Sequence, residues 1–404
     1  MNVDRFAMTP MPVPGGQPGG HEEAQAQWFL ELAFFRDLVL RNPPGKGGRG
    51  ELADAVVLHS DVALMSQVKA QSSTRPPQVW AKKAIAEALN QLGHTNRMLA
   101  EGHVTTLRSE LLGELPVDPR RYVHRWGLIV LDQPVDPFDP AELAPEITEA
   151  PFPVQVYSLA DLEMLTSRLD TAADFINYIE MRYAFRASLQ ARVHEEATTL
   201  AKAVAHTEDY HRHHYPNDPP EIIERSARMV RRTATGEFQR PPFLDYGRAY
   251  DDLIARLHDR DPDLAHNTGT TPADSLPLIE ELSWLNRARR VALGQKIAAL
   301  ADHARDGKDH FFHHLQRKRG TVFVYLATSL PRAERSLFLQ ALTLRAQARY
   351  DCERAVGIAT EPIGAGRSYD TVFHRGRLAP LLLERLRAEA DPFGEATAQL
   401  TDSI

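Results

Sequence analysis

Apolar residues recur along this chain with two periods, and the switches between them mark out its elements. From 22 to 42, Trp28, Leu32, Phe35 and Val39 fall three or four apart, which predicts an amphipathic helix. The PPGKGG run that follows stops it, since proline lacks a backbone donor and glycine favours loops. Val56, Val57 and Leu58, then Val62, Leu64 and Val68, predict a hairpin over 51–71. A second helix is predicted past SSTRPP, with Ile85, Leu89 and Leu92 on one side. Short apolar runs around Ile129 and Val156 read as buried strands. Helices follow, N-capped at Ser158 and Thr171. Residues 191–317 read as helices broken by proline and aspartate. Residues 319–375 read as strand, helix, strand, strand, with a last helix near 378–390 and Leu337, Leu339, Leu342 and Leu344 buried on more than one side.

This pattern implies a mixed α/β chain of four parts: an arm at 1–20, an α/β domain at 21–190, a helical region at 191–317 and a small α/β unit at 318–404. No internal sequence repeat is evident. Composition narrows the class. With 43% hydrophobic and 25% charged residues, the chain is ordinary globular material. No run of 18 apolar residues predicts a membrane span, and the start lacks the pattern of a secretory signal. One cysteine, Cys352, rules out an intrachain disulfide and any Cys-built zinc site, which fits a cytoplasmic location. A net charge of −7 argues against coating nucleic acid by bulk charge, so such contact is expected to be local and metal-assisted.

The hairpin carries the candidate chemistry. A turn centred between Ser60 and Asp61 sets Asp54 opposite Gln67, and cross-strand partners share a face. Lys69, two residues on, shares it too. A carboxylate, an amide oxygen and an ammonium are thus expected on one patch. Hard cations such as Mg²⁺ take a few oxygen ligands and keep several waters. Asp54 and Gln67 are such ligands, with Glu51 or Glu31 as a further carboxylate and Lys69 beside an attacking water. That is the minimum for metal-assisted phosphodiester hydrolysis. Asp61 reads as a turn residue.

Asp54 followed by Gln67-Val68-Lys69, between two amphipathic helices, resembles the PD-(D/E)XK, or restriction-endonuclease-like, nucleases, with glutamine at the usual glutamate position as in the Mrr-type branch. The resemblance covers about residues 22–190. It implies an αβββαβ core and a DNA endonuclease using Mg²⁺ or Mn²⁺, held by Asp54, Gln67, the Val68 carbonyl and an acid such as Glu31. DNA is favoured over RNA as the substrate. It further implies a bacterial defence effector against phage or plasmid, gated by oligomerisation or an activating protein partner, with no membrane role. Glutamine in place of glutamate removes a charge from the metal site, so a catalytically inactive scaffold that binds nucleic acid or a protein is the alternative. Lys46, Arg49, Arg75, Lys82 and Lys83 are the candidate phosphate contacts.

Histidines gather at 206–214 and 310–314, where a transition metal or a surface role is open. His258-Asp259 offers a weaker metal phosphohydrolase reading. EPIGAGRS follows a strand but precedes another, which excludes a dinucleotide fingerprint. Arg317, Lys318, Arg319 and Phe323 read equally as nucleic-acid contacts or as parts of a packed hairpin.

Overall fold

The computed structural model describes residues 20–43, 51–71, 75–109, 113–132, 138–189, 191–258, 272–316, 319–362 and 368–388. The chain forms two compact units, one of residues 1–240 with 280–287 and one of 241–279 with 288–404. These divisions differ from those expected near 190 and 317, for two reasons. Helices after 190 pack back on the first unit, and the histidine-rich stretch near 310 is a strand of the second sheet.

The first unit opens with α1 (Gly20–Phe34) and β1 (Val39–Arg41). The predicted helix thus ends eight residues early. Phe35 adopts φ +65°, and Leu38–Leu40 are drawn into pairing and packing with the hairpin. The hairpin is β2 (Ala55–His59) and β3 (Val62–Lys69), with the turn at the expected place and Ser60 at φ +58°. Next come α2 (Pro77–Ala100), a small ribbon of β4 (Thr106–Ser109) and β5 (Gly113–Pro116), β6 (His124–Leu131) and β7 (Val154–Ser158). The sheet order is β1-β2-β3-β6-β7. Its first three strands pair antiparallel, while β6 and β7 run parallel to β3. β2 and β3 are buried along almost their whole length, as strands covered on both faces must be.

α2 covers one face of this sheet. The approach is close at Gly127 in β6, where a Cβ would stand 2.8 Å from the Phe152 ring and 3.2 Å from Leu92 of α2. α1 packs with α3 (Leu159–Arg168) and α4 (Ala172–Ala184), and Phe34 meets Phe175 edge to face at 5.6 Å. Ser158 and Thr171 cap α3 and α4 as predicted, accepting from the Asp161 and Asp174 N–H groups. α5 (Glu196–Ala205), α6 (Thr207–His214) and α7 (Pro220–Ala234) complete this unit. Segment 280–287 is fastened into it: Glu280 pairs with Arg121, Arg287 with Asp170 at 2.7 Å, and Ser283 meets buried His59 at 2.7 Å.

The second unit contains α8 (Phe243–His258), most of α9 (Pro272–Ser283) and of α10 (Arg287–His303), β8 (His310–Gln316), β9 (Thr321–Ala327), α11 (Arg332–Tyr350), β10 (Arg354–Thr360), β11 (Tyr369–Arg375) and α12 (Pro380–Ala388). Its sheet runs β11-β10-β9-β8, with β9 and β10 parallel and both edge pairs antiparallel. α11 buries Leu339, Leu342 and Ala346 against Val322, Val324 and Leu326. Leu337 is exposed instead, because the helix has only one covered face. No described helix is long and apolar enough to cross a membrane.

Candidate functional site

Asp54 sits immediately before β2. The ladder pairs Ala55 with Ser66 and His59 with Val62, so one further step brings Asp54 level with Gln67 as the sequence predicts. Asp54 leaves the regular ladder there. Its N–H donates to the Ser66 carbonyl at 3.1 Å, and its Oδ2 accepts the Val68 N–H at 2.5 Å. Its own carbonyl accepts from the Gln27 side chain at 2.6 Å and from the Asn42 N–H at 3.0 Å. The carboxylate is thereby held at the sheet end by the neighbouring strand and by α1.

Gln67 and Lys69 share a face, as strand alternation requires. The Lys69 ammonium donates to Gln67 Oε1 at 3.3 Å and to Gln91 Oε1 of α2 at 2.6 Å. Gln67 is buried while Lys69 is half-buried, so the ammonium stands at the rim of the patch.

Glu31, the helix acid expected from the sequence, is engaged by another strand. Glu31 is buried and accepts from Arg41 of β1, Nε at 2.7 Å and Nη2 at 2.6 Å. Two turns earlier on the same stripe, Glu23 lies within electrostatic reach of Asp54, Glu51 and Lys69, with Asn42 bonded to its side chain. Glu23, Gln27 and Glu31 fall four apart, so one helix edge supplies a site carboxylate, a clamp on Asp54 and a structural ion pair. The four-residue spacing was the available signal for Glu23. Only the tertiary partner Arg41 separates the two glutamates.

The carboxylates here hold protons more tightly than usual. Burial is the main cause for Asp54, and Glu51 adds to it; the Val68 N–H and Lys69 oppose it. Glu23 is raised by burial first, then by Asp54 and Glu51, against Asn42 and Lys69. Glu51 is exposed. Around Asp54 and Glu23 the like charge of Glu51 and the opposite charge of Lys69 act against each other, and burial decides the outcome. Asp54, Glu23 and Gln67 Oε1 offer hard oxygens, the donor type that Mg²⁺ and Mn²⁺ accept. Among the described residues no group of three His, Cys, Asp or Glu side chains is gathered to hold one.

Of the phosphate-contact candidates, Arg75, Lys82 and Lys83 are exposed around the start of α2. Lys83 meets Glu87 at 3.5 Å. Lys46 and Arg49 lie outside the described residues, as do Asp259, Arg317, Lys318 and residues 363–367. The histidine clusters gather no metal ligands among the described residues. On α6, His211 meets Asp218 at 2.7 Å. On β8, neighbouring His313 and His314 point to opposite faces. His313 bonds Tyr350 of α11, and burial pushes His314 down to about 3, leaving it a neutral core group.

Comparison of the chain with protein-family models, curated proteins and solved structures gave no match.

Proposed function

We propose that the first unit is a metal-dependent endonuclease that hydrolyses DNA phosphodiester bonds. The observation that supports this most is that Asp54 and Glu23, both raised by burial, lie within electrostatic reach of Glu51 and Lys69 at one end of a buried hairpin. Asp54, Glu23 and Gln67 would hold Mg²⁺ or Mn²⁺. A bound ion would supply nucleophile activation and stabilise charge on the phosphate. Lys69, fixed by two amide oxygens, would bind a phosphate oxygen and orient the attacking water. The Val68 N–H and Gln27 keep Asp54 aimed at the patch. Arg75, Lys82 and Lys83 would follow the DNA backbone. A role in the cytoplasm as a defence effector against phage or plasmid, gated by oligomerisation or a protein partner, belongs to the same proposal.

A second reading, a nuclease-like scaffold that binds nucleic acid or protein without cutting, draws on the neutral Gln67 and on there being only a sparse carboxylate set. Supercoiled plasmid incubated with wild type or Lys69→Ala, in Mg²⁺, Mn²⁺ or EDTA, separates the two. Nicking that needs the ion and is lost in the variant is the expected result. Equal cleavage by both proteins would move the chemistry away from the hairpin, and none by either would favour the scaffold.

A further inference from the structure

The two sheets are threaded alike. In the first unit α1 leads into the hairpin β2–β3, α2 crosses over, and β6 returns parallel to β3 on the side away from β2. In the second, α10 leads into β8–β9, α11 crosses over, and β10 returns parallel to β9 on the side away from β8. Such parallel crossovers have one hand in nearly all proteins, so the same order produces the same layering. α11 covers the face bearing Val322 and Val324, while Lys296 of α10 lies over the Phe312 ring on the opposite face. Both crossover helices approach through a glycine at the fourth position of the returning strand, Gly127 and Gly357. A Cβ on Gly357 would stand 2.2 Å from Thr343 Oγ1 of α11.

The chemistry at the matching end is different. Asp309 precedes β8 as Asp54 precedes β2. The ladder pairs His310 with Ala327, so one further step sets Asp309 level with Thr328. Leu330 follows two residues on. An aspartate is kept, but threonine and leucine stand where Gln67 and Lys69 stand in the first unit. The polar groups here satisfy one another. Thr328 Oγ1 donates to Asp309 at 2.5 Å and accepts the Leu330 N–H at 3.1 Å. Asp370 accepts from Arg332 at 3.0 Å and Arg335 at 2.5 Å, and Arg335 also meets Glu361 at 3.2 Å.

Charge divides between the two cores as well. Residues 20–189 hold 16 Lys and Arg against 23 Asp and Glu, whereas residues 288–388 hold 18 against nine. Over the whole units the counts are 26 against 34 and 21 against 20, so the second unit is near neutral with its basic charge gathered in 288–388. Arg375, Arg377, Arg385 and Arg387 are exposed at the end of β11 and on α12. An acidic core repels the polyanion it is to cut, and a basic core in the same chain offsets that repulsion.

We infer that the second unit repeats the first core without its hydrolytic side chains, and that its exposed arginines hold the backbone of duplex DNA. This rests on the nuclease reading of the first unit. Each phosphate neutralised by an arginine releases counterions, so binding weakens with salt in proportion to the contacts made.

The test is the anisotropy of a short labelled duplex over a KCl series without divalent ions, using the full chain. Arg375→Glu/Arg377→Glu is expected to bind at least about tenfold more weakly, with a salt slope shallower by about two. Asp309→Asn is expected to cut plasmid as the wild type does. Unchanged affinity and slope in the double variant would overturn the inference. So would loss of cleavage in a folded Asp309→Asn, or wild type that binds anionic lipid vesicles and not DNA. Wild type that fails to cut, with DNA binding still weakened in the double variant, counts against the nuclease reading and supports the DNA-holding one.

Discussion

The hairpins β2–β3 and β8–β9 stand in the same strand order but manage negative charge in opposite ways. At the end of β2–β3, Asp54 and Glu23 lie within electrostatic reach of Glu51 and Lys69, and burial leaves both carboxyls reluctant to ionise. At the end of β8–β9 Asp309 is bonded by a hydroxyl, and on β11, the far edge strand of the same sheet, Asp370 is bonded by two arginines. The first leaves its carboxyls opposed by burial, whereas the second sheet pairs its buried Asp370 with cations of the protein itself. One strand order therefore carries two treatments of buried carboxylates, and the difference lies in a few side chains near the strand ends.

The contrast can be broken most severely in the second unit. Arg335 is fully buried between Asp370 and Glu361, so Arg335→Met is expected to cost about 3–5 kcal/mol, read by urea unfolding. A loss under 1 kcal/mol would mean the arginine lock is not what holds α11 to β11. Nearly as large is the effect on chemistry. Lys69→Ala should lower cleavage by about 10²–10³-fold, while Leu330→Ala, at the matching place, should leave it alone.

The two glutamates of α1 sharpen the picture further. Glu31→Gln strips Arg41 of its ion pair and should destabilise by about 1–3 kcal/mol in the same unfolding experiment. Glu23→Gln should cost no stability but weaken Mn²⁺ binding by at least about tenfold in calorimetric titration. Reversed outcomes would restore Glu31 as the helix acid of the site.

A smaller effect depends on pH. Because folding raises the Asp54 and Glu23 pKa values, their favourable contribution is complete below the ordinary carboxylate range. It is lost as pH rises through the raised values. Ion-free Asp54→Asn should thus melt above wild type near pH 7, by on the order of 1 kcal/mol, with the gap closing towards about pH 4. Mn²⁺ should reverse the order near neutrality. Least of all, Lys83→Ala, which removes an exposed pair with Glu87, should change stability by less than about 0.5 kcal/mol.

Much of the first core was legible in the sequence. Alternation and the Ser60–Asp61 turn specified the register of β2–β3, and with it the sharing of a face by Gln67 and Lys69. Capping hydroxyls marked the starts of α3 and α4. What escaped was decided by tertiary contact. The end of α1 is set by a left-handed Phe35 that no glycine announces. The assignment of roles to Glu23 and Glu31 depends on Arg41, which approaches from another element. β8 was hidden because HFFHHLQ alternates between two buried faces, so its histidines resemble a cluster while belonging to opposite layers. The repeated threading was invisible for a related reason. It is a repetition of strand order, and the side chains that would show a period in sequence are those that differ.

The segment 280–287 has a consequence for synthesis. Glu280, Ser283 and Arg287 complete the first unit by contacting Arg121, His59 and Asp170, yet they follow a long stretch of the second unit. At roughly 5–20 residues per second, the first unit waits several seconds after residue 240 emerges before its last piece arrives. A chain released early, or cut between 240 and 280, leaves buried His59 and Arg121 without these partners. The order of emergence thus acts as a timer, withholding a finished first unit until the chain has already begun to build the second.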